Sequence, residues 1–406
     1  MNILDKSHCC GCASCYSSCP QNCISMEEDA EGFLYPTIDE SKCVNCGLCK
    51  KVCPFLNPFA QRKPLLISAV KNKSVEVRLK SSSGGVFSLS AGYILERGGV
   101  VFGAAFDDKW EVFHTYIEHS SDLDKLRRSK YVQSKIGDTY KKTKDFLNAG
   151  RLVLFTGTPC QISGLLHFLR RDYNNLLTMD IVCHSVPSPK VWRKYLREYY
   201  SCESVSAVKD INFRNKIYGW KSYSFSLSLE RDTFGSKKEK FLHSLYFDNL
   251  FMKFFLSDTI SRPSCFACKA KNGSSGADIT VGDYWWINEV CPRFDDDKGC
   301  SVVYVFSKKG RRIIDSIQSE CDIIKTDSPQ DIKRAYLLEG AFANHATPNK
   351  TRKQLFENID TKSLEELRPL SIRWHSPRER FLFLIKKIIR EIGIFGVTKK
   401  IYKALK

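Results

Sequence analysis

The chain has 406 residues, 43% of them hydrophobic and 27% charged, with a net charge of +18. That is room for two or three domains with a sizeable core, and no apolar run approaches the ~20 residues needed to span a bilayer as a helix. The charge is uneven: residues 1–60 carry seven acidic against four basic side chains, a net −3, which leaves +21 on the remainder. A basic body suits nucleic acid, anionic lipid, or acidic cofactors and substrates. Nothing matches a helix-turn-helix or an RNA-binding signature, so no nucleic-acid partner is expected.

The first fifty-odd residues hold ten of the eighteen cysteines. Cys9, Cys12, Cys15 and Cys19 are followed by Pro20, and Cys43, Cys46, Cys49 and Cys53 by Pro54, with the same gaps both times. This is the C-x2-C-x2-C-x3-C-P run that binds 4Fe–4S clusters, and its fourth cysteine serves the cluster of the other run. One cluster is therefore expected on Cys9, Cys12, Cys15 and Cys53, and a second on Cys43, Cys46, Cys49 and Cys19. Zinc on C-x-x-C pairs is the competing reading; it explains neither the third cysteine of each run nor the repeated Cys-Pro. Cys10 and Cys23 read as bystanders packed against the clusters. Met-Asn-Ile-Leu-Asp-Lys leads straight into the first run, so no signal peptide is expected, and thiols kept reduced for loading point to the cytoplasm as the expected compartment.

Between the runs, a short strand is expected around Phe33 to Tyr35. Pro54, Pro58 and Pro64 mark a linker and a domain boundary near residue 60. Leu65 to Val70 reads as a buried strand. Ser81-Ser-Ser-Gly-Gly85 precedes a helix whose apolar residues run from Val86 to Leu95. Such a loop is a cap and a turn, or a cradle for phosphate at the helix's positive end; both readings stand. Val100 to Phe106 and Val112 to Ile117 are strands, and Arg127 to Ser134 is a basic segment. Leu152 to Phe155, a helix from about Gln161 to Arg171, and Leu176 to Val182 form a β-α-β unit, which makes the strands parallel. Cys160 and Cys183 then fall at one rim, the carboxyl edge where α/β proteins bind ligands.

Ser222 to Leu229 alternates as a half-buried strand, after a turn signal at Gly219-Trp220. A helix is expected over about Ser244 to Leu256, strands over Asp278 to Val281 and Ser301 to Phe306, and a helical pattern beyond residue 310. From Phe381 the chain is basic and amphipathic. The first reading is a helix packed on the protein; the second is peripheral membrane contact. Cys265-x-x-Cys268 completes, with Cys160 and Cys183, a third set of four thiolates, enough for another 4Fe–4S cluster or a zinc.

The double cysteine run, Ser82-Ser-Gly-Gly-Val86, Gly157-Thr-Pro-Cys-Gln161, Cys183-His-Ser-Val-Pro-Ser188, Phe213 to Trp220, Cys265-x-x-Cys268 and Asp278-Ile-Thr-Val-Gly-Asp283 together resemble the coenzyme F-420 hydrogenase/dehydrogenase beta-subunit family. The resemblance spans about residues 1–310. It implies an iron–sulfur flavoprotein with FAD beside a cluster, Cys160, Cys183, Cys265 and Cys268 as cluster ligands, and Ser83, Gly84 and Gly85 at the flavin phosphates. Lys130, Gln133 and Thr158 are further expected flavin contacts. Two residues depart from the family pattern, Ser185 and Trp286, each where glycine is expected. The fold expected is mixed α/β: a small ferredoxin-like double-cluster domain (1–60), a larger mixed α/β flavin domain in two parts (61–145 and 146–325), and a helical basic tail (326–406). The function implied is an oxidoreductase that relays electrons from ferredoxin or another redox protein, through the clusters and FAD, to a small organic acceptor. The alternative is an electron-transfer subunit of a larger redox complex with no substrate of its own. A further rival is a cluster-stabilised scaffold anchored by its C-terminal helix.

Overall fold

The computed structural model describes residues 3–200, 205–233, 236–326 and 340–371. The basic stretch from Phe381 lies outside them. The N-terminal unit has two halves of one design. Each cysteine run enters a short helix, α1 (Ser14–Ser18) or α2 (Leu48–Lys51), through a left-handed residue, Ala13 or Gly47. Between them β1 (Ile24–Glu28) and β2 (Leu34–Ile38) form an antiparallel hairpin. Of this hairpin only the second strand was legible; Ile24–Glu28 alternates too weakly to stand out.

An eight-stranded mixed sheet carries the body. Its strands are β3 (Leu66–Asn72), β4 (Val100–Phe106), β5 (Val112–Ile117), β6 (Val153–Gly157), β7 (Leu176–Ile181), β11 (Ile279–Asp283), β12 (Ser301–Val305) and β13 (Cys321–Lys325). They lie in the order β13-β3-β12-β11-β7-β6-β4-β5. Neighbours β4, β6, β7 and β11 run parallel; β12, β3, β13 and β5 are paired antiparallel. The sheet thus draws strands from both 61–145 and 146–325. Its central strands read as unbroken apolar runs because helices cover both faces. Leu154, Val101 and Ile279 pack with α3 (Val86–Leu95) and α8 (Lys308–Ile317). Phe155, Phe102 and Val153 pack the other way, with α4 (Thr139–Asn148) and α5 (Pro159–Leu169). Parallel β6 and β7 with α5 between them agree with the β-α-β expectation.

A second antiparallel sheet comprises β8 (Val205–Asn215), β9 (Ser224–Thr233) and β10 (Ser236–Leu245), with β9 in the middle. Its apolar face, with Phe213, Phe225 and Leu227, packs on α6 (Pro189–Tyr200), α7 (Leu250–Leu256) and Leu355 to Leu367. Two expectations fail here. The helix expected from Ser244 begins at Leu250, because Asn249 caps it by accepting a bond from the Met252 amide at 3.0 Å; Ser244 and Leu245 belong to β10. The region beyond residue 310 is not all helical either, since Cys321–Lys325 joins the sheet edge beside β3.

Candidate functional site

The cysteine runs fold into two crowded thiol sets. In the first, Cys15 lies close enough to Cys9 and Cys53 to feel their charge, Cys12 to feel Cys15 and Cys53, and Cys53 to feel Cys9. A small cavity opens on these thiols, lined also by Ile3, Met26, Pro36 and Phe55. In the second, Cys49 interacts with Cys46 and Cys43, while Cys19 reaches it beside Cys23, sulfur to sulfur 3.3 Å, which in turn interacts with Cys43. Cys49 also interacts with Cys15 and Cys53, so the two sets adjoin each other.

A third set stands in the body. Cys160 is in the first turn of α5, just past β6, and Cys183 just past β7; Cys265 interacts with Cys183, Cys268 and Cys160. Thr158 caps α5: its amide donates to Gln161 Oε1 at 2.9 Å, with Pro159 as the first helical residue. That N-terminal geometry turns Cys160 over the sheet rim. All four thiols resist ionisation. Burial pushes Cys183 up to about 12 and Cys268 up to about 11, and it also raises Cys265. Contact with Cys10 does the same to Cys160. Packed, desolvated thiols behave this way until bound iron supplies positive charge, whereupon they ionise and release protons. Among the described residues no three His, Cys, Asp or Glu side chains close around a single ion. Four thiolate donors suit a 4Fe–4S cubane, which places its own iron and sulfide between them, and a tetrahedral zinc also takes four.

Cys10 and Cys23 are more than bystanders. Cys10 lies within hydrogen-bond reach of both Cys12 and Cys160, so it stands between the first set and the body set. Cys23 stands between Cys19 and Cys43. Nothing in the spacing announces either position.

The residues expected at the flavin are placed as follows. The Ser83 hydroxyl donates to the Cys300 carbonyl at 2.9 Å, and the Gly84 amide donates to Ser301 Oγ at 2.9 Å. Gly84 has no room for a side chain: a Cβ would stand 2.3 Å from the Val70 carbonyl oxygen. Gly85, at φ +87°, leads into α3. Lys216 ties this loop down by donating to the carbonyls of Arg78, Ser83 and Lys298 at 2.6–2.8 Å. Burial brings its pKa down to about 7. Lys216 is therefore engaged with backbone rather than presented to an anion.

Ser82 accepts from the Ser129 amide at 2.8 Å, which joins the loop to the segment 129–134. Burial and then Arg128 bring Lys130 down to about 7, and its ammonium donates to the Arg127 carbonyl at 2.8 Å. Gln133 faces the N-terminal unit, where its Oε1 accepts from the Leu34 amide at 3.0 Å. Thr158 Oγ1 lies 3.2 Å from Cys160 Sγ. The Ser82 to Gly85 loop and the Ser129-Lys130 segment are thus neighbours, Thr158 stands beside the body thiol Cys160, and Gln133 is turned to the N-terminal unit. Arg214, fully buried, donates to Asp283 Oδ2 at 2.9 Å and to the Tyr131 hydroxyl at 3.1 Å, and Trp220 Nε1 donates to Asp283 Oδ1 at 2.8 Å. Of the two departures, Ser185 is buried against Ser261 Oγ at 2.7 Å, while Trp286 is partly exposed.

Residues 8–57 match the model of a 4Fe–4S dicluster domain. Residues 150–331 match that of the C-terminal region of the coenzyme F420 hydrogenase/dehydrogenase beta subunit. No curated protein matches the chain by sequence. Among solved structures it is similar to a chain of the F420-reducing NiFe hydrogenase complex from Methanosarcina barkeri, at 16% identity over 83% of this chain and 95% of that one, with a TM-score of 0.43. No described helix is long and apolar enough to cross a membrane. Residues 150–331 thus match the C-terminal region of the coenzyme F420 hydrogenase/dehydrogenase beta subunit, and a 4Fe–4S dicluster domain precedes them, a combination that supports iron–sulfur electron transfer.

Proposed function

We propose that the chain is an iron–sulfur flavoprotein oxidoreductase that takes single electrons from ferredoxin or a similar redox protein and delivers pairs to a small organic acceptor. The observation that carries this reading is the meeting of Cys160, Cys183, Cys265 and Cys268 at the carboxyl rim of the parallel strands, next to Cys10 and hence to the first thiol set. Three quartets in succession are a wire, and a wire ending inside a sheet rim needs a terminus there.

FAD is the terminus that this reading assigns to the rim. Bound there, it supplies the exchange between one-electron and two-electron chemistry. Gly85 and the first turn of α3 would meet its phosphates. The Ser83 hydroxyl and the Gly84 amide, already bonded within the protein, would shape the turn rather than touch them. Lys130, close to neutral in its dry setting, would regain its charge against a phosphate. Gln133 and Thr158 would set the distance between the ring system and the Cys160 quartet.

Anaerobic purification with iron, sulfide and flavin analysis is the test. About twelve irons and one flavin per chain are expected from three cubanes. Four or fewer irons, or zinc in their place, would sink the scheme. Twelve irons without flavin would favour an electron-transfer subunit working inside a larger redox complex.

A further inference from the structure

The two electron-carrying units meet around one side chain that no motif marks. Arg262 is 1% exposed. It is placed three residues before Cys265, and its guanidinium reaches into the dicluster unit. Nε donates to the Cys9 carbonyl at 2.9 Å and Nη2 to the Leu34 carbonyl at 2.9 Å, with the Tyr35 ring 4.1 Å away. Nη1 is buried without a hydrogen-bond partner. A Cβ at Gly11 would stand 3.0 Å from that nitrogen, so it lies against the Cys10-Gly11-Cys12 turn. On the body side, Cys160 feels the same charge, which opposes the rise imposed by Cys10 and by burial. Lys271 is a second cation at the body set. It donates to the Cys183 carbonyl at 2.5 Å and acts on Cys183 and Cys268.

A guanidinium keeps its charge in proteins, and a buried one with an unused N–H is costly unless something negative faces it. The thiols near Arg262 belong to the first set and the body set. In the second set Cys46 is exposed, unlike the thiols beside Arg262.

We propose that Arg262 is the positioning and potential-setting residue of the crossing: it clamps the Cys9 to Cys12 turn onto the body and biases both adjoining clusters, but not the outer one, toward the reduced state. The inference rests on the three-cluster reading above. A cation beside a cluster favours the added electron, so its loss moves the reduction potential down. The bias makes the step from the outer cluster to the first one downhill and keeps electrons on the body side.

The test is potentiometric titration, followed by electron paramagnetic resonance, of the full-length anaerobically loaded protein. Arg262→Gln removes the charge and Arg262→Lys keeps it; Cys46→Ser identifies the outer cluster's signal. In Arg262→Gln with full iron, two of three midpoint potentials should fall while the outer one stays, and Arg262→Lys should restore most of the difference. Unchanged potentials in fully loaded Arg262→Gln, or an equal shift of all three, would overturn the proposal. Should Arg262→Gln lose iron, Arg262→Lys decides: near-native potentials support it, and potentials as low as those of any residual loaded Gln fraction overturn it. A wild-type protein with eight irons would instead refute the three-cluster reading, separately from any effect of Arg262 on the first cluster.

Discussion

Two buried titratable groups near the rim pull the stability in opposite directions with pH. His114 lies between Ser134 Oγ at 2.6 Å and the Thr156 carbonyl at 3.1 Å, and burial brings its pKa down to about 4. The unfolded chain takes up a proton on this histidine below about pH 6.5 while the native one does not, so stability falls as pH drops from there toward 4. Asp180 is the mirror case: burial pushes it up to about 7 against bonds from Ser275 and Thr280. The native state holds that proton where the unfolded state has lost it, so its contribution is present at low pH and lost as pH rises from about 4 to 7. Each slope is on the order of 1 kcal/mol per pH unit, and between pH 5.5 and 6.5 they nearly cancel. Denaturant unfolding should therefore show a shallow wild-type profile. Asp180→Asn should lose stability on acidification through that window, and His114→Gln should gain it. Parallel profiles for all three proteins would refute the pairing. A thiol prediction belongs at this scale too. Because Cys23 lies 3.3 Å from Cys19 and also interacts with Cys43, Cys19→Ser alone should keep most of the second cluster's iron. The double variant with Cys23→Ser should lose about four irons.

At the scale of elements, α5 joins two thiol sets. Cys160 and Gly164 are four apart and share a helix face. The Cys160 thiol meets Cys10, and a Cβ on Gly164 would stand 2.9 Å from Cys12 Cβ and 2.9 Å from the Tyr140 hydroxyl. In an isolated helix Gly→Ala gains ~1 kcal/mol. Here overpacking costs about 1–3 kcal/mol and the backbone of a cluster turn cannot retreat cheaply. Gly164→Ala should lower the melting temperature and the first cluster's iron together; a more stable, fully loaded variant would show that the helix is not pressed on that turn. Much of this layer was readable. The repeated cysteine gaps announce a dicluster domain because each run is compact in sequence, and the β-α-β unit follows from apolar runs and a capped helix. The Ser244 helix misled because an aromatic-rich run looks alike in either state, and the Asp248-Asn249 break is a matter of capping. Arg262, Cys10 and Lys216 were invisible as partners of the thiols or of the Ser-Gly-Gly loop. The roles of Arg262 and Cys10 exist only once the N-terminal unit is docked on the body, and that of Lys216 only once β8 lies against the Ser-Gly-Gly loop more than a hundred residues before it.

The whole molecule is one electrical object rather than a ferredoxin on a tether. The acidic first unit meets the basic body through Glu28 with Arg193, bidentate Glu31 with Arg352, and Lys190 donating to the Ala30 carbonyl at 2.9 Å. The half-exposed Glu28–Arg193 pair is worth little, and the more buried Glu31–Arg352 pair must offset its own desolvation, so the closer packing has to hold the units together. Gly32 sits so near Lys190 that a Cβ would stand 2.4 Å from the lysine Cβ. Even the proline-marked linker is strapped down: His167 Nε2 lies 2.7 Å from the Asn57 carbonyl, Phe59 packs on the His167 ring, and the Arg62 guanidinium donates to the Ala277 carbonyl. A wire with a moving joint would lose electron-transfer rate with every opening, whereas this joint is fixed from both sides. The chain divided between residues 60 and 61 and co-expressed as two pieces should therefore co-purify through a tag on either piece. High salt should weaken the complex only modestly, because screening removes the ion pairs and leaves the packing. Pieces that separate at low salt would mean that covalent continuity, and not the interface around Arg262 and Gly164, keeps the clusters in line.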